Sequence, residues 1–304
     1  MAVTFGLSGL PGDVFDLTSG TTFLDGYDRS VDVLGPEFTT LWASDHFQNG
    51  DGPRIECWTR LSLLAARFER FKVGSLVLGQ AYRNPALLAK MASTLQFMSD
   101  GRLVLGIGAA WHEEEFRSYN FPYGSRKERV DQLVEALTIL RLMAPGGPAT
   151  FHGEHYSITD AYCHPVPPTP VPIIVGAARP RMVRVAAEYA DGWNCDANHA
   201  VFDPAHEGYV TRLGELERSL DDVTISLNVE VSFPENAADF VALIPTEFPE
   251  YDFDQIVYGP TPDDVIRGLQ SFVDMGVTHF QVGVADLRTL KLFATEVAPA
   301  LHAT

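Results

Sequence analysis

Asp45 and His46 stand just past the apolar run Leu41-Trp42-Ala43, after Ser44. An imidazole at the end of a strand can give or take a proton near neutral pH. The same residue can also be held structurally within a loop. A second group is Gly106-Ile107-Gly108-Ala109-Ala110-Trp111, small residues followed by a large aromatic. Small residues let the backbone approach a flat ligand closely, and the string also reads as a tight strand-to-helix turn. Glu113-Glu114-Glu115 behind it reads as a solvated first turn of helix rather than a set of catalytic acids. A third group, Gly176-Ala177-Ala178-Arg179-Pro180-Arg181, lies between a strand and a helix. Free N–H groups at a helix start, with two arginines beside them, suit a phosphate. His152 and His155 have metal-like spacing, but they fall in a proline-rich excursion instead of on one helix face, so no metal site is expected. There is no P-loop, no G-x-S-x-G and no HExxH.

These groups need elements to hold them, and the chain alternates strand and helix. Strands are expected at 3–7, 39–43, 71–78, 102–107, 172–175, 192–195, 223–231 and 278–284. Helices are expected at 56–70, from Asn84-Pro85 to Gly101, at 126–143, 180–190 and 203–219, and from Thr261-Pro262 to Gly276. Gly35, Gly101, Gly192 and Gly276 each separate a helix from a strand, where a left-handed cap costs glycine little. Residues 145–171 break the rhythm and suggest a hairpin; 234–258 form a second irregular insertion. Repeated strand–helix units imply a parallel sheet with right-handed crossovers, and eight of them close most naturally into a (β/α)8 TIM barrel. The fold expected is therefore an α/β barrel in one domain over 1–304, with insertions after the fourth helix and before the last. A doubly wound sheet is the rival, weakened by the lack of Gly-x-Gly-x-x-Gly after the first strand. In such barrels the site lies at the carboxyl ends of the strands. Those ends hold Ser8 and Gly9, Asp45 and His46, Leu78 to Gln80 with Gly79 among them, Gly108 to His112, Gly176 to Arg179, Asn194 and Cys195, Glu230, and Asp286.

Composition narrows the partners. Lys plus Arg number 22 and Asp plus Glu 40, a net charge of −18, which repels nucleic acid and anionic membrane. An anionic ligand needs its own basic pocket in such a chain. The three cysteines are widely spaced without C-x-x-C, which suits a reducing, cytoplasmic compartment. The first residues lack a basic, apolar leader, and no apolar run is long enough to span a membrane.

The block Ala81-Tyr82-Arg83-Asn84-Pro85-Ala86-Leu87-Leu88-Ala89-Lys90-Met91, followed by Ser99-Asp100-Gly101-Arg102 and on through Gly106-Ile107-Gly108-Ala109-Ala110-Trp111-His112-Glu113-Glu114-Glu115-Phe116, closely resembles the luciferase-like monooxygenase superfamily. The branch it most resembles uses the deazaflavin coenzyme F420. Leu41 to Phe47, Pro172 to Gly176 and Ala186 to Asn194 resemble further family segments, so the likeness covers roughly 3–196 and again 258–284. The resemblance implies a cofactor ring in the barrel mouth, with Asp45 and His46 facing ring and substrate and His46 as acid/base. It implies a non-prolyl cis peptide at Leu76-Val77 beneath the ring, ring contacts from Gly79, Gly108, Ala109, Ala110 and Trp111, and phosphate contacts from Gly176, Ala177, Ala178 and Arg179. Trp111 stands where some sugar-phosphate-oxidising relatives place a catalytic Glu, which argues against transferring their substrate. The implied activity is hydride transfer between F420 and a small organic molecule, in a homo-oligomer, dimer or tetramer. Three alternatives stay open: a monooxygenase using reduced FMN and oxygen, a flavin-binding barrel without turnover, and a hydrolase built on Asp45, Glu113 and Glu230. The last needs two carboxylates about 5–10 Å apart, which nothing in the sequence supports.

Overall fold

The computed structural model describes residues 2–48, 50–233, 257–258 and 261–302. The elements begin with β1 (Thr4–Leu7), α1 (Gly20–Val31), β2 (Phe38–Ala43) and α2 (Cys57–Arg67). Next come β3 (Lys72–Ser75), β4 (Leu78–Gly79), α3 (Pro85–Met98), β5 (Leu103–Gly108), α4 (Glu113–Ser118) and α5 (Arg126–Met143). A pair β6 (Ala149–His152) and β7 (Ser157–Ala161) precedes β8 (Ile173–Gly176), α6 (Pro180–Tyr189), β9 (Gly192–Asp196) and α7 (His199–Glu215). The chain closes with β10 (Thr224–Val231), β11 (Val257–Tyr258), α8 (Pro262–Val273), β12 (His279–Val284), α9 (Leu287–Leu292) and α10 (Ala298–His302). Taking β3 and β4 as one interrupted strand, this is the eight-fold strand–helix order of a (β/α)8 barrel, the fold expected. Two compact units carry it. One is Met1–Trp42, Asn194–Glu207 and Thr224–Thr304; the other is Ala43–Trp193 and Gly208–Val223.

In the first unit β1 pairs in parallel with β2 and β12, and β10 pairs in parallel with β12 and β11. Alternate residues of these strands bury an aromatic cluster: Phe5 packs edge-on against Phe293 at 5.3 Å and lies 5.7 Å from Phe38. On the other face of β1, Gly6 leaves room for the Trp42 indole, whose Nε1 donates to His279 Nε2 at 3.1 Å. In the second unit β5 pairs in parallel with β3, β4 and β8. Leu61 and Leu64 of α2, Leu88 of α3, and Leu133 and Leu137 of α5 are all buried, as helical spacing requires.

The helix starts follow their local chemistry. Asn84 accepts from the N–H of Ala86 and Leu87, with Pro85 at the first position. Ser125 and Glu128 form a reciprocal capping box, as do Thr261 and Asp264. Gly101 and Gly276 take the left-handed conformation, with φ of 83° and 94°. Gly192 instead opens β9 itself. The excursion 145–171 contains the expected hairpin, β6 against β7; of the second insertion, 234–256 lie outside the described residues. Two helical regions had no clear sequence signal. The α1 sequence contains Gly20, Gly26 and β-branched residues, poor helix formers, yet it buries Phe23 and Tyr27. Between α9 and α10 a π-helical turn at Phe293–Val297 shifts the periodicity. Among the described residues, no helix is long and apolar enough to cross a membrane.

Candidate active site

Asp45 follows β2 and is 4% exposed. Burial of a carboxylate is costly unless it is paired, and both of its oxygens are engaged. Arg83 donates to Oδ2 at 2.7 Å and to Oδ1 at 2.9 Å, a two-pronged pair. Gly79 N–H donates to Oδ2 at 2.9 Å. Arg83 also reaches Glu56 Oε1 at 2.7 Å, and Glu56 caps α2. Although burial works against the charged guanidinium, its bonds to Asp45 and Glu56 hold its pKa above the ordinary value. Asp45 therefore ties the end of β2 to the end of β4 and the start of α3.

His46 is next in sequence but differs in environment. Its Nδ1 lies 3.0 Å from Glu115 Oε2. An ionised carboxylate only accepts, so Nδ1 carries the proton and Nε2 is the nitrogen available for proton transfer. Glu115 has no exposed side-chain surface. Its Oε1 accepts from the N–H of Phe47 at 2.6 Å and of Gln48 at 3.2 Å, and Oε2 accepts from Tyr82 Oη at 3.1 Å. Burial pushes this carboxyl up; the His46 hydrogen bond and charge and the two backbone N–H groups outweigh it and bring it down to about 2. His112 Nδ1 stands 3.4 Å from the same Oε2. The rings of Trp111 and His112 lie 6.0 and 5.8 Å from His46, both edge-on. Burial and the adjacent Glu115 raise the Tyr82 phenol, so it stays a hydrogen-bond donor.

A second feature is a floor without side chains. The Leu76-Val77 peptide is cis, as the resemblance implied. A Cβ added at Gly108 or Gly176 would come within 3.0 or 2.9 Å of Val77 Cγ2, and one at Gly106 within 2.0 Å of the Ser75 carbonyl oxygen. Three glycines thus let β5 and β8 close against the Val77 side chain. Ala110 has φ of 55° and Trp111 is half exposed, its carbonyl accepting from Tyr123 Oη at 3.0 Å. Ala177 is buried, and its carbonyl accepts from Trp193 Nε1 at 2.7 Å. Ala178 and Arg179 are exposed where α6 begins, and among the described residues no side chain caps that helix.

Residues 36–258 match the luciferase-like monooxygenase family. The chain belongs to that family. It is 28% identical over 313 residues to an F420-dependent glucose-6-phosphate dehydrogenase of Kineococcus radiotolerans, covering 90% of this chain and 92% of that one. Its fold is that of an F420-dependent secondary alcohol dehydrogenase solved with an F420-acetone adduct, with a TM-score of 0.83 at 18% identity and 99% of each chain covered. It is also similar to EDTA monooxygenase from Chelativorans sp. BNC1, with a TM-score of 0.80 at 12% identity, over 100% of this chain and 94% of that one.

In this luciferase-like chain the fold brings Asp45, Gly79 and Arg83 together, joins His46 to Glu115 and Trp111, and seats Val77 on Gly108 and Gly176. Sequence pattern alone does not mark Arg83 or Tyr82 as site residues, and it reads Glu115 as solvated. Glu115 is instead buried, because α4 is short and turns its third residue inward while Glu113 and Glu114 stay exposed. Spacing gave no signal for this, since adjacent helix residues do not share a face; Glu115 and Phe116 are both buried because α4 is short and packed at its end. His152 bonds Ser157 Oγ at 2.7 Å within the hairpin, and His155 is bound through its backbone to Glu135.

Proposed function

We propose that the protein is an F420-dependent oxidoreductase that moves a hydride between the deazaflavin and a small organic substrate, with His46 exchanging the substrate proton. The observation that carries this is the His46–Glu115 dyad, a buried acceptor fixing the imidazole so that Nε2 is left for proton transfer. F420-dependent relatives that align with nine-tenths of the chain support the cofactor. The residues suit such a group. The surface around Val77 is kept free of Cβ atoms by Gly108 and Gly176, as a flat ring needs, and α6 begins with uncapped N–H groups, as a phosphate needs. Leu76, Val77, Gly79, Gly108, Ala109, Ala110 and Trp111 would flank the ring; Gly176, Ala177, Ala178 and Arg179 would hold the phosphate. When bound, the deazaflavin supplies two-electron hydride chemistry and no oxygen activation.

The chain's own part is proton transfer and orientation. In oxidation of an alcohol, His46 Nε2 takes the hydroxyl proton as the C–H hydride departs; in reduction it returns that proton. Glu115 holds the tautomer and steadies the imidazolium as it forms. Asp45, with both oxygens held by Arg83 and Gly79, sets the position of its neighbour His46. Trp111, in place of a carboxylate, speaks against the sugar-phosphate substrate named for the Kineococcus relative. The same reading has the chain acting as one domain in a cytoplasmic homo-oligomer, a dimer or tetramer; its three free, buried cysteines accord with a reducing compartment.

Fluorescence titration of the purified protein with F420 and with FMN tests the cofactor. Micromolar binding of F420 and weaker binding of FMN is expected; micromolar binding of FMN alone replaces this reading with a monooxygenase using reduced FMN and oxygen. In assays following F420 absorbance over a panel of alcohols, His46→Ala should keep cofactor affinity and lose about a hundredfold in kcat. Unchanged kcat would remove His46 from the chemistry.

A further inference from the structure

A second set of polar residues lies in the unit that does not contain His46. Along β10 the side chains alternate in face: Ile225, Leu227, Val229 and Val231 are buried on one side, and Ser226, also buried, Asn228 and Glu230 occupy the other. The register of β10 with β12 sets Asn228 opposite Gln281 and Glu230 opposite Gly283. From β9, Asn194 Nδ2 meets Ser226 Oγ at 3.3 Å, Asn228 Oδ1 at 3.3 Å and Gln281 Oε1 at 3.1 Å, so the residues share that face. Asn228 Nδ2 donates onward to Asp196 Oδ1 at 3.0 Å. The result is a ladder of amides and acids climbing towards the carboxyl ends of three strands.

The top of this ladder shows features of a binding surface. A Cβ at Gly283 would sit 2.2 Å from both oxygens of Glu230, so the carboxyl lies across a strand that carries no side chain there. Glu230 is partly accessible despite its depth. Burial, and then the charge of Asp196, push its carboxyl up to about 7, so it is protonated much of the time near neutrality. Gln281 Nε2, in a side chain 1% exposed, has no hydrogen-bond partner among the described residues. A buried amide donor in that state costs free energy that a ligand or water can recover. None of Asn194, Asp196, Ser226, Asn228, Glu230 and Gln281 is a cation, so nothing in the ladder counters a phosphate, and Asp196 repels one.

We propose that the carboxyl ends of β9, β10 and β12 form a subsite for an uncharged organic alcohol or ketone, with the Glu230 carboxyl as its hydrogen-bonding partner, and that this subsite disfavours phosphorylated compounds. A neutral carboxylic acid donates to a carbonyl and accepts from a hydroxyl, so it serves both members of an alcohol–ketone pair. The inference goes beyond the oxidoreductase reading: the ligand is defined by the residues of this unit alone, whichever reaction it undergoes.

Saturation-transfer NMR with cyclohexanol, cyclohexanone, glucose and glucose 6-phosphate tests it directly, on protein alone and on protein saturated with F420. Cyclohexanol and cyclohexanone should bind, glucose 6-phosphate more weakly than glucose. Glu230→Ala should weaken the alcohol and ketone about tenfold, the scale of one hydrogen bond to a desolvated group, and Glu230→Gln should bind nearly as the parent. Gly283→Ala, which drives a Cβ into the carboxyl, should resemble Glu230→Ala. Circular dichroism melts of each variant separate lost binding from lost folding, and Glu230→Gln decides where Gly283→Ala fails to fold. Affinities unchanged by Glu230→Ala, tighter binding of glucose 6-phosphate than of glucose, or no binding by any probe overturn the subsite. F420 affinity, read separately by fluorescence, tests the cofactor: its loss in the parent protein sinks the oxidoreductase reading, while the NMR result still judges the subsite.

Discussion

At the scale of single residues, the second unit holds two buried acids, Asp45 and Glu115, with different partners. Asp45 is matched by a cation, and removing that cation leaves a charge in the interior. Arg83→Ala should cost about 3–5 kcal/mol in urea unfolding. Adding Asp45→Asn should restore part of the loss, since the orphaned charge goes with it; a double variant as unstable as the sum of the singles would refute the pairing. Glu115, together with Glu230 of the first unit, sets a pH window. Glu115 sits near 2 in the fold against an ordinary 4.5, so its support is complete above 4.5 and is lost as pH falls towards 2. Glu230 is shifted the other way, to about 7 from 4.5. The fold holds a proton there that the unfolded chain releases, so its cost to stability grows as pH rises from 4.5 to 7 and is constant above. Glu230→Gln should therefore raise Tm at pH 8, by up to about 3 kcal/mol in stability, and leave pH 4.5 nearly unchanged. An equal gain at both pH values would show that packing, not protonation, is responsible.

At the scale of elements, the hairpin of β6 and β7 is tied down from two sides. Glu135 on α5 accepts from the backbone N–H of Glu154, His155 and Tyr156 at 2.7, 3.0 and 2.9 Å. Tyr156 Oη in turn accepts from Gln80 Nε2 at 2.8 Å, just past β4. The insertion is thus fastened to a helix on one side and to a strand end beside Gly79 on the other. Glu135→Ala should speed hydrogen exchange at residues 154–156 and lower stability by about 1–3 kcal/mol, with α6 and β8 exchange unaltered. Unaltered exchange at 154–156 would mean that the hairpin is held by its own ladder. The hairpin was legible in the sequence from its prolines and glycines. Its anchor was not, because Glu135 is one acid among several on an exposed helix surface and the three amides lie about 20 residues further on.

At the scale of the whole molecule, the charge of −18 opposes an anionic cofactor. Raising salt from about 10 to about 100 mM shortens the screening length from about 30 to about 10 Å, which weakens long-range repulsion more than close contacts. F420 affinity, followed by fluorescence, should therefore improve about twofold or more over that range. Weakening instead would show that Arg179 and its neighbours dominate the encounter. The same charge excess explains why basic residues near α6 stood out in the sequence. Arg181, though exposed, is spent on Asp131, which leaves Arg179 to meet an anion at the helix start.

The order of strands and helices, the caps at Asn84, Ser125 and Thr261, and the prominence of His46 were all determined by local sequence, because periodicity and capping act over a few residues. What only the tertiary structure decided were pairings across long stretches of chain. His46 meets Glu115 across 69 positions and Asp45 meets Arg83 across 38. Asn194 meets Gln281 across 87. A parallel strand–helix fold puts residues from separate repeats at neighbouring strand ends, so chemical partners need share no local pattern. Whether an acid there is solvated, like Glu113, or buried against an imidazole, like Glu115, depends on which side of a short helix faces the interior.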